Sequence, residues 1–175
     1  MSRRFAILTT CFALATGCLL TAPFLVYHQR QSQFDRVREL VESHGGFMMF
    51  DMVDGNYMLD LRGDAATDDA MLALVPELSR LPTGFTFLGP GESRLFYVSI
   101  DNSTMTDVGF DALCTLPLMS VSLDCPNLTD RSADRLSELE QPYAIVSGTA
   151  PFSDAAIKRL HDSKPNTMLE TRNGG

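Results

Sequence analysis

The chain has no tryptophan, only three histidines, only four cysteines, and fewer basic than acidic residues, 14 Lys+Arg against 22 Asp+Glu among 175. Each shortage excludes something. A net charge of −8 argues against nucleic acid as a partner, because phosphate contacts need a basic surface. Four cysteines are too few for a disulfide-dense scaffold and lack the usual zinc spacing. His28, His44 and His161 are scattered, and none stands beside a nucleophile in a recognisable triad pattern. No catalytic residue, cofactor site or metal site is expected.

What is present is unevenly distributed. Phe5 to Tyr27 is a stretch of 23 residues without a charge, 17 of them hydrophobic. As a helix it would measure about 34 Å, enough to cross a hydrocarbon core of about 30 Å. Residues 1–28 are therefore expected to be an N-terminal membrane anchor or uncleaved signal, making a single-pass membrane protein that contacts the bilayer through residues 5–27. Ala13-Leu14-Ala15 offers a cleavage site and Ala15-Thr16-Gly17-Cys18 faintly resembles a lipoprotein box, so cleavage and lipidation stay open. Arginines on both flanks give little orientation, but two at the extreme start favour a cytoplasmic N-terminus and an extracytoplasmic domain. Residues 29–46 read as a juxtamembrane helix, Gln33 to His44, capped by Ser32 and ended by Gly45-Gly46.

Beyond Gly46 the sequence resembles itself. Leu59-Asp60-Leu61 leads to Thr67-Asp68, Val98-Ser99-Ile100 to Thr106-Asp107, and Val121-Ser122-Leu123 to Thr129-Asp130. A drifted copy runs from Ala144 to Ser153-Asp154. The last three Thr/Ser-Asp pairs are 23 and 24 residues apart, and the first gap of 39 holds a truncated copy with a strand at Phe85–Leu88. Each unit reads as a strand with alternate apolar residues, a polar turn, and a helix capped by Thr or Ser. The helices should bury Met71, Leu72, Leu74 and Leu78; Phe110, Leu113 and Leu116; Ala133, Leu136 and Leu139; and Ala156, Ile157 and Leu160. Phe47–Asp51 and Tyr57–Leu61, joined through Asp54-Gly55, form a predicted hairpin that caps the first unit.

Thr106-Asp107-Val108-Gly109-Phe110-Asp111-Ala112-Leu113 resembles the T-D-x-G-L variety of leucine-rich repeat. Leu123-Asp124-Cys125-Pro126-Asn127-Leu128-Thr129-Asp130 is similar to its cysteine-containing subtype. The arrangement is also similar to short membrane-anchored repeat proteins abundant in planctomycete bacteria. The resemblance implies an α/β fold: a leucine-rich-repeat-like solenoid over residues 47–169. It would have about four strand-turn-helix units, one truncated, after a hairpin cap and an N-terminal transmembrane helix, with residues 170–175 as a flexible tail.

Asp68, Asp107, Asp130 and Asp154 fall at equivalent positions, where helix capping explains them better than calcium, which needs six to eight converging oxygens. Cys114 and Cys125 are expected to be free and buried. The candidate binding surface is the outward side of the strands: Asp60, Arg62, Ser99, Asp101, Ser122, Asp124, Ile145 and Ser147. That stripe, small and acidic, fits a basic or polar protein partner. The function expected is a non-catalytic, membrane-anchored protein–protein interaction module at the cell envelope. An envelope structural component or degenerate repeat protein without a specific partner is the alternative, and a metal-dependent enzyme a more distant one.

Overall fold

Period-two alternation in the strands and Thr/Ser-Asp starts on the helices build the architecture. The computed structural model describes residues 25–51, 55–82, 85–86, 89–90, 95–101, 103–139, 143–147, 152–165 and 168–170. Two compact units result, Met1–Arg36 and Val37–Gly175. Residues 25–43 are helical (α1), with Leu25, Val26 and Tyr27 exposed and Val37 and Val41 buried. The helix passes through Ser32, which therefore caps nothing, and ends where Gly45 turns at φ 87° and the Gly46 amide donates to the Val41 carbonyl.

Then follow β1 (Phe47–Asp51), β2 (Asn56–Arg62), a 3-10 turn (Gly63–Ala65) and α2 (Asp68–Leu78). Two short strands come next, β3 (Phe85–Thr86) and β4 (Gly89–Pro90). The rest alternates as β5 (Phe96–Asp101), α3 (Asp107–Leu113), β6 (Leu118–Leu123), α4 (Asp130–Glu138), β7 (Tyr143–Ser147), α5 (Asp154–Ser163) and β8 (Met168–Glu170). The main sheet is six-stranded in the order β1-β2-β5-β6-β7-β8. β1 is antiparallel to β2, and every later pair is parallel.

Because the order advances steadily, right-handed crossovers place α2, α3, α4 and α5 on the same side of the sheet. Leu59, Leu61, Val98, Ile100, Val121 and Leu123 point to that side and are buried. Met71, Leu74 and Leu78 of α2, Phe110 and Leu113 of α3, and Leu136 of α4 are buried as well. Leu72, expected in this core, is 53% exposed, and Ala70 and Val75 face inward in its place. The Tyr57 hydroxyl donates to the Pro82 carbonyl at 2.9 Å and its ring stacks on Phe96 at 5.3 Å between centroids.

Two expectations are corrected. The fold is a mixed α/β structure on an open sheet, and the expected leucine-rich-repeat-like solenoid behind a transmembrane helix is not what forms, with no membrane-spanning helix among the described residues. The expected hairpin of Phe47–Asp51 with Tyr57–Leu61 is present as antiparallel β1 and β2. A solenoid requires each unit to lay its strand beside its neighbours' strands. Here the truncated copy supplies β3, which pairs with β4 outside the main sheet, so the series of units is interrupted between β2 and β5.

The single-pass membrane placement is corrected as well, and the extracytoplasmic assignment goes with it. Among the described residues no helix is long and apolar enough to cross a membrane. Of the apolar run only residues 25–27 are described, within a helix over residues 25–43 whose later part carries Arg30, Asp35, Arg36, Arg38, Glu39 and Glu42. The remainder of the run, residues 5–24, lies outside the described residues, as do residues 171–175 of the expected tail.

Candidate functional site

The helix starts carry a recurring set of side-chain hydrogen bonds. Thr67, Thr106, Thr129 and Ser153 are the N-caps of α2 to α5, each accepting a backbone N–H with its own hydroxyl oxygen. The aspartate after each of the first three caps does something further, since it reaches to the next helix. Asp68 Oδ1 accepts from the Thr106 and Gly109 amides at 2.8 and 2.9 Å, and Oδ2 from the Thr106 hydroxyl at 2.7 Å. Asp107 accepts from the Thr129 amide at 2.9 Å and from the hydroxyls of Thr129 and Ser132 at 2.5 and 2.6 Å. Asp130 accepts from the Ser153 amide at 2.7 Å and hydroxyl at 2.6 Å. Four helices, α2 to α5, are thus tied in series by three carboxylates.

These bonds set the charge state. Burial, the largest single influence on Asp68 and Asp107, pushes them up, but the hydrogen bonds together outweigh it and both lie below the usual carboxylate value. Asp130 is lowered chiefly by the Ser153 hydroxyl and then by its amide. With their oxygens committed to neighbouring helices, these aspartates act in packing. Among the described residues no group of three or more His, Cys, Asp or Glu is placed to hold a metal ion.

Cys114 and Cys125 are free and buried. Burial pushes their thiols up to about 12 and about 11, which leaves almost no thiolate at neutral pH. His44 Nδ1 lies 2.9 Å from the Leu40 carbonyl oxygen, and His161 sits in the last turn of α5. An open depression of about 580 Å³ lies on the helical side among Asp111, Arg131, Asp134, Arg135 and Glu138. Its charges are mutually neutralised: Arg131 bonds Asp111, Arg135 bonds Glu138, and Asp134 pairs with Arg159.

On the other side of the sheet the described side chains of β1, β2, β5 and β6 are mostly exposed or half-buried. The register aligns Asp60, Ser99, Ser122 and Ile145 in one row, and places Arg62 beside Asp101. Asp124 follows directly after β6, and Ser147 lies opposite Glu170 on β8. The fold thus brings Asp60, Arg62, Ser99, Asp101 and Ser122 together on one face, as the alternation in the sequence requires. Arg62 donates to both carboxylate oxygens of Asp60, at 3.0 and 2.8 Å, and comes within 4.0 Å of Asp101. Asp60 thereby raises the affinity of the guanidinium for its proton, first by hydrogen bonding and then by charge.

Sequence reasoning missed the apolar part of this face. Met49 pairs with Met58, and Met58 with Tyr97, forming a row adjacent to the Asp60 row, into which Phe47 falls opposite Asp60. Phe47, Met49 and Met58 are 54%, 43% and 42% exposed. Counting by twos back from Asp60 and across the hairpin would have found them. No family model, curated protein or solved structure matches the chain.

Proposed function

We propose that this chain is a non-catalytic protein-interaction domain that receives its partner on the uncovered face of the sheet. The observation that carries the reading is the exposure of Phe47, Met49 and Met58 side by side on that face. Scattered exposed apolar residues need no explanation, whereas a contiguous apolar cluster bordered by charges is the usual mark of an interaction surface. The buried, protonated thiols and the histidines held on or within helices support the non-catalytic part.

Capture of a protein from a lysate of the source cells tests it. Replacing Asp101 and Asp124 together by Lys should remove the captured protein while the domain keeps its thermal midpoint. Undiminished capture would place the partner elsewhere. Absence of any captured protein with the native chain as well would favour the structural reading.

A further inference from the structure

The reading just given leaves the partner's chemistry unspecified, and the inference that follows rests on that reading. We infer that the corner formed by Phe47, Met49, Met58 and Tyr97, with Asp60 and Asp101 beside it, takes a basic peptide segment of a partner protein, carrying at least one apolar anchor side chain.

The apolar half comes from the register. Met49, Met58 and Tyr97 stand in one row across β1, β2 and β5, and Phe47 begins the next row. Neighbours across strands are about 4.8 Å apart and same-face residues along a strand about 6.8 Å, so the four side chains span an area suited to one or two apolar side chains. Two of them are methionines, whose unbranched thioethers adapt to aliphatic or aromatic shapes. Such a surface accepts an anchor without demanding one residue type.

The basic half comes from charge. Asp60 continues β2 from Met58, and Asp101 lies one row beyond on β5. Arg62 is the only basic residue in these rows of β2 and β5, and it is already committed to Asp60 and Asp101. Two carboxylates against one cation leave the border of the apolar corner negative. A Lys or Arg next to an anchor seated on Met58 would meet it within about one same-face step.

Charge also decides between occupants. Residues 1–44 hold 5 Lys+Arg and 3 Asp+Glu of the chain's 14 and 22, so residues 45–175 hold 9 and 19, a net of −10. A second copy would bring a further excess of negative charge to an acidic border, whereas a basic segment relieves it. An acidic peptide and a second copy are therefore the occupants to be excluded.

Methyl NMR of the full chain with labelled methionine, titrated with a Lys-Leu-Lys-Leu-Lys peptide, tests the inference. The Met49 and Met58 signals should move and buried Met71 should not. A Glu-Leu-Glu-Leu-Glu peptide should leave all three in place. Met58→Ser, or Asp60→Asn combined with Asp101→Asn, should weaken the basic peptide about tenfold or more. Leu72→Ser, on the exposed side of α2, should not, and thermal melts establish that each variant is folded. Equal shifts with both peptides, no shift with the basic one, or Met49 and Met58 signals that depend on protein concentration alone would overturn it. Failure here with successful partner crosslinking on the same face removes the basic peptide and keeps the interaction surface, whereas failure of both removes the surface itself.

Discussion

The Asp68 carboxylate occupies the space above Gly109. Its Oδ1 accepts the Gly109 amide at 2.9 Å, and a Cβ on Gly109 would lie 2.6 Å from that oxygen and 3.0 Å from the Asp68 Cα. Real Cβ atoms do not approach as closely as 2.6 Å, the Cβ would also lie 2.8 Å from Met105 Cγ, and the tight contact with Asp68 Cα is with backbone. Gly109→Ala must therefore push α3 from α2 or give up the hydrogen bond. A loss of about 1–3 kcal/mol in urea unfolding is expected. A neutral result would show that the Asp68 contact contributes little.

At the equivalent place on α4 stands Ser132, whose hydroxyl donates to Asp107 in place of a glycine amide. Asp107→Ala removes the acceptor for three donors and should cost about 2 kcal/mol. Asp154, at the start of α5, is exposed, and Asp154→Ala should cost less than about 1 kcal/mol through the helix dipole alone. Paired denaturation curves compare them, and equal losses would mean that the ties between helices are not the source of stability.

Acid should loosen the helical layer. The folded-state affinities of Asp68, Asp107 and Asp130 for protons lie below the ordinary carboxylate value of about 3.9. Their stabilisation is complete above that value and is lost as pH falls through the lower folded values, because the unfolded chain then binds more protons. The free energy of unfolding should thus fall with pH below about 5. Asp107→Asn should flatten this slope, measured by urea titrations across the range. An unchanged slope would assign the acid sensitivity to other carboxylates.

Local structure was legible because it depends on short-range rules. Leu59/Leu61, Val98/Ile100 and Val121/Leu123 alternate, and Thr106, Thr129 and Ser153 cap the helices. Periodicity also placed Asp60, Ser99 and Ser122 on one face. Four things were not visible. The reach of Asp68 to Thr106 spans 38 residues, and no local rule reveals it. The departure of β3 from the main sheet depends on which strand the chain pairs with, which composition does not specify. Apolar length suggested a membrane span, while the described helix over residues 25–43 is amphipathic and charged. Phe47 and Met49 are not legible in this way, because a hairpin that caps the first unit does not by that role specify what its outer side displays.

The central claim is that the uncovered sheet face is where a partner binds. A photo-crosslinking amino acid at Ser99, in the middle strand of that face, compared with one at Glu138 on the helical side, tests it most directly. In a lysate of the source cells the account predicts a discrete crosslinked protein from Ser99 and none from Glu138. The same protein crosslinked from Glu138 alone, or an indistinct background from both positions, would contradict it.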